Sequence, residues 1–291
     1  MITKVISPLD LSAIADSGQC FRWQKRAGGY RIFAGDKILH AAQNPGREEI
    51  RFSCTEEEFS TFWADYFDLA TDYRAILSSV PPEDSFLQAA AAYGQGLRIL
   101  RQEPWETLIT FILSQRKSIP AIQRAVESLC AACGKQIGEE AGEALYAFPA
   151  PEDILSLSLP SLAACGLGYR TEYVRRAAQA FCQGDISCQS LNGLSDEALL
   201  EALCALHGVG PKIASCVMLF GFHRLNAFPM DVWMYRVEKT RYPQGIPAQR
   251  YAPWGGVMQQ YMFAYERHLA KAEKEKKPAS AAGSKPISYS I

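Results

Sequence analysis

Residues 203–216 read Leu203-Cys204-Ala205-Leu206-His207-Gly208-Val209-Gly210-Pro211-Lys212-Ile213-Ala214-Ser215-Cys216, and no other stretch restricts the fold as tightly. Apolar residues at helical spacing lead up to Leu206. Gly208 and Gly210 then break the helix, and Pro211 suits the first position of a second one, where its missing N–H costs nothing. The pattern predicts two helices joined by a tight hairpin. Glycines in the hairpin let the backbone approach a phosphate, and the second helix offers unpaired N–H groups to the same anion. His207, Gly208 and Gly210 are therefore expected at a DNA backbone. A plain helical corner would carry the same punctuation, so the hairpin alone leaves function open.

Nineteen residues past Lys212, within Phe228-Pro229-Met230-Asp231-Val232, stands Asp231, which can cap a helix beginning at 232. An amine beside a hairpin, followed by a capping carboxylate, is a pairing with chemical meaning. The bland alternative is an ordinary N-cap.

Composition bounds these readings. Hydrophobic residues make up 48% of 291 positions, enough for one large domain or a few lobes sharing cores. No apolar run approaches the ~20 residues that span a bilayer. The first residues lack the apolar stretch of an export signal, so the expectation is a soluble cytoplasmic chain. Net charge is −1, and residues 271–291, with five Lys and two Glu, contribute +3. Any DNA-binding surface must then come from a local concentration of cations, with sharply salt-dependent and modest affinity. Nine cysteines are scattered through mixed surroundings, which points to free thiols over a disulfide framework. Cys130 and Cys133 form one close pair with no second pair to complete a metal site, so a helix face is the preferred reading. No closely spaced run of four cysteines suggests an iron–sulfur cluster.

Along the chain, short aromatic or β-branched segments near 21–23, 29–33, 37–40 and 49–54 alternate with Gly, Asp and Asn-Pro-Gly turns, predicting a small antiparallel sheet. Residues 56–66 have the period of an amphipathic helix. From Ser85 onward helical periodicity dominates. The expected class is α+β: an N-terminal antiparallel sheet lobe (1–84), a larger helical body containing the helix–hairpin–helix (85–270), and a basic, disordered tail (271–291).

The hairpin, Lys212 and Pro229-Met230-Asp231 together resemble the helix–hairpin–helix/GPD superfamily of base-excision glycosylases, in which a Lys directly after the hairpin marks the bifunctional branch. Three further islands narrow the resemblance to 8-oxoguanine DNA glycosylase/AP lyases: Ser17-Gly18-Gln19-Cys20-Phe21-Arg22-Trp23, Gly166-Leu167-Gly168-Tyr169-Arg170, and Gly256-Val257-Met258-Gln259 through Phe263. With Arg101-Gln102-Glu103-Pro104, they run in order through most of the chain.

The resemblance implies removal of an oxidised purine from double-stranded DNA, by extrusion of the nucleotide into a pocket. Lys212 would be the nucleophile and Asp231 its catalytic partner. Gly18 would accept a hydrogen bond from the N7 proton that only the oxidised base carries. Gln259 would read the Watson–Crick edge, with Phe263 and Cys216 on either face of the ring. Tyr169 would be the wedge, and Arg170 would reach toward the orphaned partner base. No metal or organic cofactor is required, and a monomer is expected.

The chain departs from the family where relatives carry an Asn run: here Ser114-Gln115-Arg116-Lys117-Ser118. Arg116 and Lys117 could still meet phosphate or the orphaned base, but preference for cytosine opposite the lesion is put in doubt. Trp233 stands where many eukaryotic relatives have His, and both changes read as a bacterial-type variant. Two rivals remain at this point. A glycosylase for another damaged purine would typically lack Lys212; a non-catalytic DNA-binding module would have no use for Lys212 and Asp231 together.

Overall fold

The structure, a computed structural model, describes residues 1–276. Its N-terminal part is a five-stranded antiparallel sheet of β1 (Ile2–Val5), β2 (Trp23–Arg26), β3 (Gly29–Ala34), β4 (Lys37–Gln43) and β5 (Glu49–Phe52), in the order β1-β5-β4-β3-β2. The alternation expected of a half-covered sheet is plainest in β5, where Ile50 and Phe52 are buried while Glu49 and Arg51 face solvent. Helix α1 (Leu11–Asp16) intervenes between β1 and β2, capped by the Asp10 carboxylate. The expected helix over 56–66 starts with a capping box between Thr55 and Glu58. It widens into a π-helical turn at Phe59–Trp63, bringing Phe59 and Phe67 onto Phe52 at ring separations of 5.0 and 5.6 Å.

The helical body contains α2 (Ser85–Tyr93), α3 (Pro104–Ser114), α4 (Ile119–Cys133), α5 (Thr171–Gln183), α6 (Asp196–Cys204), α7 (Pro211–Phe220), α8 (Val232–Arg241) and α9 (Gly255–Lys276), with shorter helical turns between them. A small hairpin of β6 (Gln136–Glu140) and β7 (Glu143–Tyr146), absent from the sequence reading, reaches back to the sheet. There Glu140 and Glu143 pair with the buried guanidinium of Arg31 at 2.8 and 2.9 Å. The final helix also corrects an expectation. It runs through Lys276, six residues into the supposed tail, because Ala270 is buried and Glu273 pairs with Arg236 of α8 at 3.0 Å. The remainder of that tail lies outside the described residues.

Two apolar cores meet along a seam. One lies under the sheet and the other fills the helical body, yet Phe21 belongs to the helical core while Cys20 and Trp23 belong to the sheet core. The seam is fixed by a polar knot at Asp68, which is fully buried. Its carboxylate accepts hydrogen bonds from Thr71 Oγ1 (3.0 Å), Tyr73 OH (3.1 Å) and Arg101 Nε (2.9 Å). It also pairs with His223 Nε2 at 3.2 Å, just beyond the end of α7. The helix that begins at Pro211 is thereby anchored at its far end to the lobe that carries the sheet.

Burial alone would raise the Asp68 carboxyl, but His223, Thr71 and Arg101 outweigh it and hold it below its ordinary value. A depressed carboxylate stabilises the fold above its unfolded pKa and loses that contribution as pH falls through the folded one. Asp68→Ala, which removes the buried acceptor of Thr71, Tyr73 and Arg101, is expected to cost about 1–3 kcal/mol in urea unfolding at pH 7. The difference from the native protein should shrink as the pH is lowered below 4.

Candidate active site

Helix α7 starts where the hairpin predicts, at Pro211, with Gly210 as its N-cap residue. Lys212 is thus in the first turn, half-buried, its side chain directed into a cleft that also contains Asp231 and Cys216. Asp231 is the N-cap of α8: its Oδ1 accepts hydrogen bonds from the amides of Trp233 (3.0 Å) and Met234 (2.9 Å). These bonds fix the carboxylate at the mouth of a helix, 8% exposed. Burial pushes its carboxyl above the ordinary value of 3.8, opposed by the Met234 amide, the Lys212 charge, the Trp233 amide and Arg267. Lys212 and Asp231 form no direct ion pair among the described residues, so their coupling acts through space. Cys216, one turn beyond Lys212, is pushed by burial up to about 12 and is a neutral thiol at physiological pH. A small apolar wall is therefore its natural part here.

The other walls are Ser17, Gly18, Phe111, Phe220, Pro229, Gln259, Gln260 and Phe263. Gly18 has φ +75°, a left-handed conformation that side-chain-bearing residues resist. The strap around it is held rigidly by Gln19, whose amide donates to Ser17 Oγ and the Arg98 carbonyl, both at 2.9 Å, and accepts from the Leu100 amide at 2.8 Å. On the opposite side Gln259 Nε2 donates to the Pro229 carbonyl at 3.1 Å, and Gln259 Oε1 accepts from Gln260 at 2.8 Å. Gln260 Oε1 is buried with no hydrogen-bond partner among the described residues. The space these walls enclose is about 20 Å³, enough for one water-sized sphere, so a purine enters only by parting them. Larger clefts of about 560–650 Å³ lie elsewhere, but none is lined by Lys212 or Asp231.

Above the cleft, three loops from distant parts of the chain are bonded into one rim. Gln115 Nε2 donates to the Gly208 carbonyl of the hairpin at 3.0 Å. Lys117 Nζ donates to the Gly166 carbonyl at 2.6 Å. Tyr173 packs edge-on against both Tyr169 (5.8 Å) and His207 (5.0 Å). Tyr169 is 52% exposed at the crest, and Arg116, His207 and Gly210 are exposed beside it. Arg170 differs from its expected orientation. It is buried at 5% exposure and donates to the carbonyls of Leu167 and Gln115, with its guanidinium 4.3 Å from the Tyr169 ring centroid. The reason is local: carbonyls left unpaired by the turns at 115 and 167 need a donor, and a planar guanidinium satisfies both.

The sequence reading brought together Lys212, Asp231, Cys216, Gly18, Gln259 and Phe263, and these share one cleft. It missed Gln19, Gln260 and Arg267. Gln260 and Arg267 could have been found from their spacing on the helix that carries Gln259 and Phe263; Gln19 could not, because its partners lie some eighty residues away.

A helix–hairpin–helix whose second helix opens on a lysine that shares a cleft with a capping aspartate is the arrangement expected from the resemblance to bifunctional base-excision DNA glycosylases. Comparison with known proteins agrees with that class and narrows it. Residues 1–108 match the 8-oxoguanine DNA glycosylase N-terminal domain, and residues 109–244 match the HhH-GPD superfamily of base excision DNA repair proteins. The N-glycosylase/DNA lyase of Saccharomyces cerevisiae is 30% identical over 265 residues, covering 81% of this chain and 69% of that one. The N-glycosylase/DNA lyase OGG1 of Arabidopsis thaliana is 25% identical, over 91% of this chain and 75% of its own. The Clostridium acetobutylicum 8-oxoguanine glycosylase/lyase, solved with double-stranded DNA containing cytosine opposite 8-oxoguanine, superposes with a TM-score of 0.84 at 31% identity, covering 92% and 98% of the two chains. The chain belongs to the 8-oxoguanine DNA glycosylase family, enzymes of base excision repair with glycosylase and lyase activity.

The two hairpin glycines make separable demands. A Cβ on Gly208, where φ is +84°, would lie 2.3 Å from the Tyr173 ring, whereas one on Gly210 would meet nothing within 4 Å. Gly208→Ala should displace Tyr173 and lower both melting temperature and DNA affinity. Gly210→Ala should lower the melting temperature only slightly, through the N-cap preference for Gly over Ala, while binding duplex DNA about tenfold more weakly, since its main cost arises on approach to a phosphate. Calorimetry together with fluorescence anisotropy on a labelled duplex distinguishes the two.

Proposed function

We propose that this enzyme excises 8-oxoguanine from duplex DNA with Lys212 as nucleophile and Asp231 as the charge that steadies the reaction. The observation that carries this reading is the placement of a first-turn lysine in the same narrow cleft as a buried, helix-capping aspartate. The neutral Lys212 amine attacks C1′ of the extruded nucleotide, the glycosidic bond breaks, and the base departs with the bonding pair. Positive character on the sugar is stabilised by the Asp231 carboxylate, which the Trp233 and Met234 amides hold in place before the reaction begins. The added nitrogen then loses a proton, the ring oxygen O4′ takes one up as its bond to C1′ breaks, and the nitrogen lone pair closes the protonated imine. The imine acidifies C2′, loss of that proton follows, and the 3′ phosphate leaves by β-elimination.

In this reading Gly18, Gln259, Phe263 and Cys216 receive the base, Tyr169 fills the gap it leaves, and Arg116, Lys117, His207, Gly208 and Gly210 meet the DNA. Arg170 acts through Gln115 and Tyr169, which it holds, instead of touching the partner base. Arg116 and Lys117 stand in place of the family's Asn run, so a relaxed preference for the opposite base follows. The enzyme would act as a monomer, since one chain supplies every residue invoked, on duplex DNA in a bacterial cytoplasm. No helix among the described residues is long and apolar enough to cross a membrane.

The test is borohydride trapping on a duplex with one 8-oxoguanine opposite cytosine. The native enzyme should form a covalent adduct and Lys212→Gln none; an undiminished adduct with Lys212→Gln would place the nucleophile elsewhere. Asp231→Asn should form the adduct about 10²–10³-fold more slowly, as removal of a preorganised electrostatic group does. Because the Asp231 carboxyl is raised, the native rate should fall with decreasing pH on a limb lying above the ordinary aspartate range. That limb should be missing from the Asp231→Asn profile.

A further inference from the structure

Arg267 sits on α9 one turn beyond Phe263 and has no part in the chemistry above. Its Nη1 donates a 2.8 Å hydrogen bond to the carbonyl of Asp16, the last residue of α1, where a cation suits the negative end of the helix. The next two residues, Ser17 and Gly18, are a wall of the base pocket. The same guanidinium lies 5.2 Å from the centroid of the Phe263 ring. Its charge also favours the ionised form of Asp231, after the Met234 and Trp233 amides and Lys212. One side chain thus holds the residue next to the Ser17–Gly18 wall, stacks on the Phe263 wall, and acts on the Asp231 carboxylate.

We propose that Arg267 is a positioning residue of this active site, tying the Gly18 strap to the Phe263 ring and supplying a fixed positive charge beside Asp231. The inference rests on the Lys212 reading and follows from a conflict within it. Lys212 attacks only as the neutral amine, and in that state it no longer compensates the buried Asp231 carboxylate. Without another cation the carboxylate would tend to take up the proton that Lys212 releases, and its stabilising charge would be lost at the moment of need. A guanidinium does not deprotonate in proteins, so its charge persists through that step. The groups facing Asp231 are Lys212 and Cys216 from α7 and Arg267 from α9, and the thiol is neutral. Those acting on Arg267 are Asp16, Asp231 and Tyr93, all of which favour its charged form against burial. Asp10, His268, Lys271 and Lys274 line the groove behind it.

Arg267→Met and Arg267→Lys in the full chain separate this role from a merely structural one. Single-turnover borohydride trapping on the 8-oxoguanine·cytosine duplex is followed from pH 5 to 8, with duplex affinity and melting temperature measured alongside. Arg267→Met is expected to slow trapping about tenfold at neutral pH while duplex affinity stays within about threefold, because a wall is misplaced without loss of DNA contacts. Its acid limb should move up, since the carboxylate has lost a cation that favours its charged form. Arg267→Lys should return the limb to its native position but not the full rate, because an ammonium cannot span the Asp16 carbonyl and the Phe263 face as a planar fork does. The inference is overturned if Arg267→Met keeps the native rate and limb, or loses rate with the limb unmoved. Should Arg267→Met not fold, Arg267→Lys decides: a native limb with a reduced rate supports the role, and any other result overturns it. A native enzyme that forms no adduct would instead remove the Lys212 reading, and this inference with it.

Discussion

Two amides at the start of α8 hold the Asp231 carboxylate, and the chemistry proposed for this chain depends on that arrangement. A helix N-terminus stabilises a nearby negative charge by roughly 0.3–1 kcal/mol or more where partly buried, which offsets part of the desolvation that pushes the carboxyl upward. The carboxylate is therefore neither a solvated surface charge nor one half of a locked ion pair. Separation within one small cleft lets the lysine charge act on the carboxylate through space without a direct contact.

The location of the cleft follows from the way the two cores join. Residues 17–23 cross from one core to the other, and Gln19 fastens them to the Arg98 and Leu100 backbone with bonds satisfied at both ends of its amide. A fully bonded, buried amide permits few alternative positions, since each would leave a polar group unpaired. Asp68 performs the same service for the far end of the lysine-bearing helix through His223. The strap and the helix, which belong to different lobes, are thus set relative to each other by polar contacts whose directionality exceeds that of apolar packing.

Much of this was legible in the chain before any coordinates. Gly208, Gly210 and Pro211 punctuate the hairpin so strongly that local propensity and final structure coincide, and Asp231 caps the helix its position demands. The four-residue spacing of Lys212 to Cys216 and of Gln259 to Phe263 was enough to put each pair on one face. What could not be read was set by long-range contacts. The β6–β7 hairpin is polar and short, and acquires its place from Arg31, more than a hundred residues away. Arg170 was misread in orientation, because an arginine in an exposed-looking loop gives no sign that the Gln115 carbonyl awaits it. The continuation of α9 past Lys271 escaped for a similar reason: Lys and Glu there suit a solvated tail equally well, until Arg236 selects the helix.

The bonded rim above the cleft has a consequence for how such enzymes diverge. The segments at 114–118, 166–170 and 206–210 each look like an independent surface loop, and loops usually tolerate exchange. Here Gln115 serves the hairpin, Arg170 serves Gln115, and Lys117 serves the Gly166 turn. Transplanting 114–118 from a cousin would orphan carbonyls at 208 and 166, and transplanting 166–170 would orphan the one at 115. Lineages should therefore trade 114–118 and 166–170 together, because a side chain from each answers a main-chain carbonyl of the other.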